Sequence, residues 1–237
     1  MRTVKYGETS LIVTVFTELF GVQSYMVNGV RSVKKSQSVT IGHLQPGNLL
    51  DMVVYHHEKA TLQRIKDCRL IFHGLNLDEN MSRNAVLLFI VELLQKCLKQ
   101  PDPHPELFYF LEDVMAGLNE ASPIQTANLP LFFMIHLSHF FGFRLMDNFS
   151  DTCTLLDLHE GQFVENVPIH NLYFEKYGSK LVAGMLRVMQ IAELEQFHLN
   201  RQMRNELIDR LSDFYALHVQ PFGSLKSLPV LRTLWAD

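Results

Sequence analysis

The sequence contains few cysteines and no pattern that would link them. Cys68, Cys97 and Cys153 are odd in number, lie far apart and form no C-x-x-C pair. This spacing indicates neither a disulfide framework nor a zinc clip, and we predict no bound metal or other cofactor. A reducing compartment, the cytoplasm, fits this usage of cysteine best.

Long apolar segments are also missing. The longest uninterrupted apolar run is Ala85–Val91, which has seven residues and is followed by Glu92. A helix needs roughly 18–20 apolar residues to span a bilayer. The N-terminus has no cationic stretch followed by an apolar one, so we predict no signal peptide and no membrane association.

No catalytic motif is present. The patterns GxxxxGK[ST], GxGxxG, GxSxG and HExxH are all missing from the sequence, so it gives no basis for a nucleotide-dependent enzyme, a hydrolase or a zinc peptidase. His136 and His139 share a helical face, but their neighbours are apolar and no third ligand is near. We predict that the protein is not an enzyme.

The charge is distributed unevenly along the chain. The formal net charge is −4, yet residues 1–77 hold nine Lys or Arg against five Asp or Glu, while residues 78–237 hold twelve against twenty. The segment "GVRSVKKSQSV" puts Arg31, Lys34 and Lys35 into one stretch without apolar periodicity. Such asymmetry indicates a part that faces nucleic acid, joined to a part with another role.

Residues 1–77 have strand-like patterns. The segments "SLIVTVFT", "FGVQSYMVNG", "GNLLDMVVYHH" and "LQRIKDCRLIFHG" are β-branched or alternating and are separated by turn residues. Four or five short strands in such a length predict a small closed or nearly closed barrel. With a basic loop, the barrel is a plausible OB-fold that binds nucleic acid.

Residues 78–237 are mainly helical, so the predicted fold class is α+β: an N-terminal OB-fold β-barrel followed by an α-helical C-terminal domain. Helical periodicity covers "MSRNAVLLFIVELLQKCLKQ" and "ELFYFLEDVMAGLNE", and Pro105 fits the first turn of the second helix. A third helix is predicted from about Asn128 to Gly142, and two more over residues 180–199 and 201–219. A short hairpin is predicted near residues 153–168.

The candidate nucleic-acid-binding residues lie in the predicted barrel. Arg64 and Lys66 are two apart on a strand and would project from one face about 7 Å apart, close to the spacing of phosphates. Tyr25, beside Gln23 on what we take to be the polar face of its strand, offers a plane for stacking on a base. The full predicted set is Lys5, Tyr25, Arg31, Lys34, Lys35, Arg64 and Lys66.

Several segments resemble the bacterial recombination mediator family RecO. "RTVKYGETSLIVTVFTELFG", "VNGVRSVKKSQ" and "LQPGNLLDMVV" are similar to its N-terminal OB domain. "AVLLFIVELLQKCL", "ELFYFLEDVMAGL", "NLPLFFMIHLSHFFGF" and "FGSLKSLPVLRTLW" are similar to its helical domain. The segments follow the family order over almost the whole chain, and this collinearity makes the match specific.

The resemblance implies a DNA-repair function. It implies binding of single- and double-stranded DNA, annealing of complementary strands, and cooperation with RecR to load RecA onto DNA coated by single-strand-binding protein (SSB). The SSB C-terminal tail would dock on the helical domain, and the protein would act in the cytoplasm, associated with the nucleoid. A cationic surface suits annealing because it screens phosphates and leaves base edges free.

The chain departs from the family in two places. Many relatives carry a four-cysteine zinc site after "FGF", where this chain has only Cys153, so we expect the hairpin to hold by packing. Relatives usually have a few residues before "RTVKYGETS" that complete the first strand. We therefore expect a shortened first strand and a barrel that lacks part of an edge, or a true start further upstream.

Two other interpretations remain open. An OB-fold that binds RNA would have the same cations and aromatic, because only a contact to the 2′-hydroxyl separates the sugars. A protein-interaction adaptor would have a purely structural barrel. If about five cations contact single-stranded phosphates, log affinity should fall with log salt at a slope of roughly −3 to −4, whereas an adaptor would not bind nucleic acid.

Overall fold

The computed structural model describes residues 1–30, 39–74 and 80–235. The chain divides into two compact units, Met1–Met115 and Ala116–Asp237. The first unit contains a five-stranded sheet and the helices that follow it, and the second contains helices and a three-stranded sheet. The predicted α+β class is confirmed.

The sheet of the first unit has the strand order β1-β2-β3-β5-β4. Its strands are β1 (Arg2–Tyr6), β2 (Ser10–Thr17), β3 (Gly21–Val27), β4 (Leu49–Tyr55) and β5 (Gln63–Phe72). All neighbours are antiparallel except β3 and β5, which are parallel. Five strands in a partly open arrangement are typical of an OB-fold.

The sheet does not close into a barrel. In the described part of the chain β1 pairs only with β2, and β4 pairs only with β5. Every residue of β1 is exposed, because no strand covers its outer edge. The core therefore lies on one side of the curved sheet and is formed by Leu11, Val13, Tyr25, Val27 and Cys68, with Val30, Val39 and Leu44 from the connections.

Two helices follow the sheet. Helix α1 (Met81–Cys97) begins after Asn80, whose side chain accepts hydrogen bonds from the backbone N–H groups of Ser82 and Arg83, and such a cap stabilises the first turn. Helix α2 (Pro105–Glu120) begins at Pro105, as predicted. A side chain on Gly47 would collide with Leu87 of α1, so α1 packs tightly against the loop before β4.

The third helix starts earlier than predicted. Helix α3 spans Pro123–Leu137, and Pro130 lies inside it rather than at its start. The start is fixed by Ser122 and Gln125, whose side chains each bond the other's backbone N–H, with Pro123 in the first turn. This reciprocal cap supplies acceptors for two backbone N–H groups that would otherwise lack a partner. The helix continues as a 3₁₀ turn (Ser138–Phe141) and ends at Gly142, as predicted.

The rest of the second unit combines short strands with helices. Strands β6 (Leu155–Asp157), β7 (Gln162–Val164) and β8 (Tyr173–Phe174) form a sheet in the order β7-β6-β8. Helices α4 (Lys176–Leu186), α5 (Arg201–His218) and α6 (Leu228–Leu234) complete the unit. The single helix predicted over residues 180–199 was wrong, because the chain turns after Leu186 and resumes as a 3₁₀ helix (Ile191–Gln196). The buried Asn128 amide holds this turn by donating to the carbonyls of Leu194 and Phe197.

The segment predicted as a hairpin contains β6 and β7. Gly161 takes a positive φ of 68° in its turn, a conformation that favours glycine. The Asn148 side chain donates to the Phe163 carbonyl and accepts from the Phe163 N–H, at 2.9 and 2.8 Å. The Ser179 hydroxyl accepts from the Leu156 N–H at 2.8 Å. These hydrogen bonds and the packing of the buried Leu156 and Phe163 therefore stabilise the hairpin.

Candidate nucleic-acid interface

Arg64 and an exposed tyrosine lie side by side on the outer face of the sheet. The neighbours of Arg64 along β5, Gln63 and Ile65, point toward the core, so Arg64 points away from it. Its partner across the antiparallel ladder is Tyr55 of β4, which is 54% exposed. Opposed cross-strand side chains have Cβ atoms about 4.5–5.5 Å apart. This pair therefore presents a cation beside an aromatic ring.

The pair belongs to a row that crosses all five strands. Val4 pairs with Ile12, Ile12 with Met26, Met26 with Arg64, and Arg64 with Tyr55. Paired residues in a sheet point to the same face, so this row is the outer face that a ligand would meet. The residues in the middle of the row, Ile12 and Met26, are apolar. The charged and aromatic residues of the row lie at its β5 and β4 end.

Lys66 lies at a β-bulge next to Arg64. On β4, Val53 pairs with Asp67 and Val54 pairs with Ile65, which leaves Lys66 without an opposite residue in the ladder. A bulge changes the direction of the strand and redirects a side chain. Lys66 and Asp67 are both exposed as a result. Lys66 shares the outward side with Arg64, but the even spacing predicted from sequence is interrupted.

The connection between β4 and β5 holds a further cation close to this pair. The buried side chain of Gln63 accepts from the N–H of His57 and donates to the carbonyls of His57 and Ala60, at 2.7–2.9 Å. These bonds fix the loop that carries the exposed Lys59. In OB-folds this connection is a usual site of contact with oligonucleotides. We call Tyr55, Lys59, Arg64 and Lys66 the β4–β5 face.

The structure places Lys5 on the other side of the sheet. Lys5 of β1 pairs with the buried Leu11, so its side chain is on the core side, where the open edge leaves it exposed. Lys5 is therefore not brought together with Arg64 and Lys66.

Tyr25 lies in the core, and the prediction of an exposed stacking ring was wrong. Its side chain is 0% exposed, because the period of two puts residue 25 on the same side as the buried Val27 and opposite the buried Val13. Its hydroxyl is buried without a hydrogen-bond partner among the described residues, and burial raises the pKa of this hydroxyl. The ring stabilises the fold and cannot stack on a base.

Removing this hydroxyl should not destabilise the protein. An unpaired buried hydroxyl costs about 1–3 kcal/mol, so Tyr25→Phe should leave the free energy of unfolding unchanged or raise it. Tyr215→Phe is the matched control, because the equally buried Tyr215 hydroxyl donates to the Met134 carbonyl at 2.7 Å and its loss should cost about 1–2 kcal/mol. Chemical denaturation measures the free energy of unfolding of both variants. If Tyr25→Phe lowers this free energy as much as Tyr215→Phe does, the result would contradict the structure.

Arg31, Lys34 and Lys35 lie outside the described residues, so their role stays a prediction. The sequence did not single out Tyr55 and Lys59. A signal for Tyr55 was present: Asp51, Val53 and Tyr55 alternate with Leu50, Met52 and Val54, and period two puts Tyr55 on the polar side of β4.

The surroundings of the β4–β5 face carry mixed charge. Arg69 pairs with Asp51 at 3.4 Å, and both side chains are largely exposed, so the pair contributes little to stability. Burial, followed by the neighbouring Asp67 and Asp51, raises the pKa of the Cys68 thiol, which therefore stays protonated.

Across the described residues no three His, Cys, Asp or Glu side chains are arranged to hold a metal ion. In that same part of the chain no helix is long and apolar enough to cross a membrane.

A five-stranded open sheet in this strand order is typical of the OB-fold class, which includes many proteins that bind nucleic acid. Comparison with known families narrows this class. Residues 1–73 match the family model described as "Recombination protein O N terminal", and residues 78–229 match "Recombination protein O C terminal". The chain belongs to the RecO family, and it is a recombination mediator of DNA repair. The resemblance seen in the sequence is confirmed.

Curated relatives of the same family align with nearly the whole length of this chain. The chain is 28% identical to the DNA repair protein RecO of Azobacteroides pseudotrichonymphae over 236 residues, which cover 99% of this chain and 96% of the relative. It is 27% identical to DNA repair protein RecO of Bacteroides fragilis with the same coverage. The corresponding protein of Porphyromonas gingivalis is 28% identical over 240 residues, again with 99% and 96% covered.

Proposed function

We propose that this protein binds single-stranded DNA through the β4–β5 face and anneals complementary strands. The observation that carries the proposal is the exposed Tyr55–Arg64 pair beside Lys59 and Lys66 on an OB-type sheet. Cations contact phosphates and displace counterions, while a tyrosine ring stacks on any base. Such contacts leave the Watson–Crick edges free, which annealing requires.

The proposal also includes the other predicted cations of the first unit, which are Lys5, Arg31, Lys34 and Lys35. The cations of the segment 31–35 would contact phosphates beyond the β4–β5 face, and Lys5 would contact DNA that passes the open edge at β1. Residues 1–77 then form the DNA-binding domain, and residues 78–237 form a domain for protein partners.

Membership of the family supports a proposal about the partners. We propose that the protein acts with RecR to load RecA onto DNA coated by SSB, that it also binds double-stranded DNA, and that it works at the nucleoid in the cytoplasm. It would act by binding, without making or breaking covalent bonds.

A pocket in the second unit fits the acidic and apolar tail of SSB. It has a volume of about 460 Å³ and is lined by apolar side chains, among them Leu181, Val188 and Phe197, and by the charged residues Lys180, Arg187 and Glu193. The Glu193 carboxylate accepts hydrogen bonds from the backbone N–H groups of Met189 and Gln190. Asp147 already binds Arg187 through two hydrogen bonds of 2.8 Å, so Lys180 is the cation available for a carboxylate. Titration of an SSB tail peptide against Lys180→Glu protein tests this assignment, and unchanged affinity would reject it.

Salt dependence tests DNA binding directly. If Lys59, Arg64 and Lys66 each contact one phosphate, the log of the association constant should fall with log salt at a slope of roughly −2, and each further cation should add about −0.7. Fluorescence anisotropy of a labelled oligothymidylate at rising KCl gives this slope, and a parallel assay should show faster annealing of complementary strands. A protein that binds no DNA, or binds with a slope near zero, would contradict the proposal. Tighter binding to the matching RNA would assign the face to RNA.

A further inference from the structure

The first unit also carries a groove that the proposed DNA contacts do not use. It has a volume of about 390 Å³ and lies between the end of β2, the turn before β3, strand β4 and helix α2. Phe16 of β2 and Phe108 of α2 face each other with ring centroids 6.1 Å apart. The Tyr109 hydroxyl donates to the Glu18 carboxylate and so ties α2 to the turn. The groove is therefore built by side chains from several elements.

Much of the apolar lining of the groove is open to solvent. Leu19 is 69% exposed, Ile71 is 58% exposed and Tyr109 is 52% exposed, and all three line the groove. A contiguous exposed apolar patch around a concave site marks a place where a partner binds, whereas single exposed apolar residues scattered over the surface do not.

The charge around the groove has one sign. Glu18, Asp51 and Glu112 line it, and no Lys, Arg or His is found among its described lining residues. Asp51 shares an exposed ion pair with Arg69, whereas the carboxylate of Glu112 is exposed. Three carboxylates repel a phosphate backbone and attract a cationic ligand. Nucleic acid is therefore a poor occupant of this site.

The floor of the groove includes a buried polar group. Tyr25 lines the groove and is fully buried, and its hydroxyl lacks a hydrogen bond within the described residues. Because this side chain is not exposed, it closes the floor of the groove and offers no hydrogen bond to a ligand.

We propose that the groove binds a segment of a partner protein in which an apolar anchor residue is flanked by lysine or arginine. The anchor would pack against the rings of Phe16 and Phe108, which contact each other at the side of the groove, and the flanking cations would pair with Glu18 and Glu112. The site is distinct from the β4–β5 face, and the proposal does not depend on DNA binding.

Titration with short labelled peptides tests the proposal. The probe is acetyl-Lys-Lys-Phe-Leu-Lys-amide, compared with a peptide that has Glu in place of Lys and with one that has Gly in place of Phe and Leu. Only the first should bind saturably. Glu18→Gln/Glu112→Gln should weaken its binding about tenfold, and Leu19→Ser, at an exposed position that folding does not need, should weaken it severalfold.

Matched variants keep the test specific. Glu106→Gln/Asp113→Asn removes the same charge from exposed positions of α2 that do not line the groove, and it should leave peptide binding unchanged. DNA affinity should not fall in any of these variants, so failure of this proposal is separable from failure of DNA binding. No saturable binding, or equal loss in the control variant, would overturn the proposal. Self-association of the protein that Leu19→Ser abolishes would instead assign the groove to a second copy.

Discussion

Replacing Gly21 by alanine should lower the free energy of unfolding of the first unit by about 2–5 kcal/mol. Gly21 begins β3 with a positive φ of 62°, and a residue with a Cβ atom loses about 1–2 kcal/mol in that conformation. A Cβ atom there would also lie closer than 3.0 Å to the backbone carbonyl of Asp102, and overpacking of this kind costs about 1–3 kcal/mol. Backbone cannot swing aside as a flexible side chain does.

Gly7 provides the control for this prediction. Gly7 has nearly the same φ, 61°, but no atom lies within 4 Å of the position of its Cβ. Gly7→Ala should therefore cost only about 1–2 kcal/mol, the conformational part alone. Thermal and urea unfolding followed by circular dichroism measure both variants. Equal losses would show that the connection before α2 does not pack against β3 as described.

Reversing two charges on the β4–β5 face should have the largest effect on DNA. Arg64→Glu/Lys66→Glu removes two phosphate contacts and adds two repelling carboxylates to an exposed surface. We expect the affinity for single-stranded DNA to fall about 100-fold at low salt, with the salt slope reduced by roughly 1.4. Because both side chains are exposed on the outer face, the unfolding temperature should change little.

The second unit supplies a variant with the same change in net charge. Lys176→Glu/Lys180→Glu reverses two exposed lysines of α4. If affinity depended on net charge alone, both double variants would weaken binding equally. The proposed interface requires that the α4 variant bind DNA nearly as well as the unchanged protein.

The strands were predictable because their patterns are local. Ser10–Thr17 is β2 to the residue, since a β-branched run between turn residues has few other conformations. Tyr25 was misplaced because "GVQSYMV" alternates weakly, and only the pairing of Tyr25 with Val13 decides which side faces the core. The bulge at Lys66 was not predicted because it depends on the register with β4, which sequence alone does not specify.

The helices show the same limit. The stop at Gly142, after the 3₁₀ turn that follows α3, was predictable because glycine readily adopts a positive φ, here 78°. The start of α3 was assigned to Asn128-Leu129-Pro130, although Ser122, Pro123 and Gln125 form the cap. A proline inside a helix resembles a start signal unless the upstream cap is recognised. The 3₁₀ helix after α4 is held by Asn128, which donates to the carbonyls of Leu194 and Phe197 from a distant part of the chain.

Photocrosslinking tests the central claim, that single-stranded DNA lies on the β4–β5 face, most directly. The protein would be irradiated with an oligonucleotide that contains 5-iodouracil, which reacts with aromatic side chains stacked on the base, and the tryptic peptides would be mapped. The peptide of residues 36–59 contains Tyr55 as its only Phe, Tyr or Trp. We predict that this peptide carries the crosslink and that Tyr55→Ala abolishes it. A crosslink confined to residues 116–237, unaffected by Tyr55→Ala, would contradict the account.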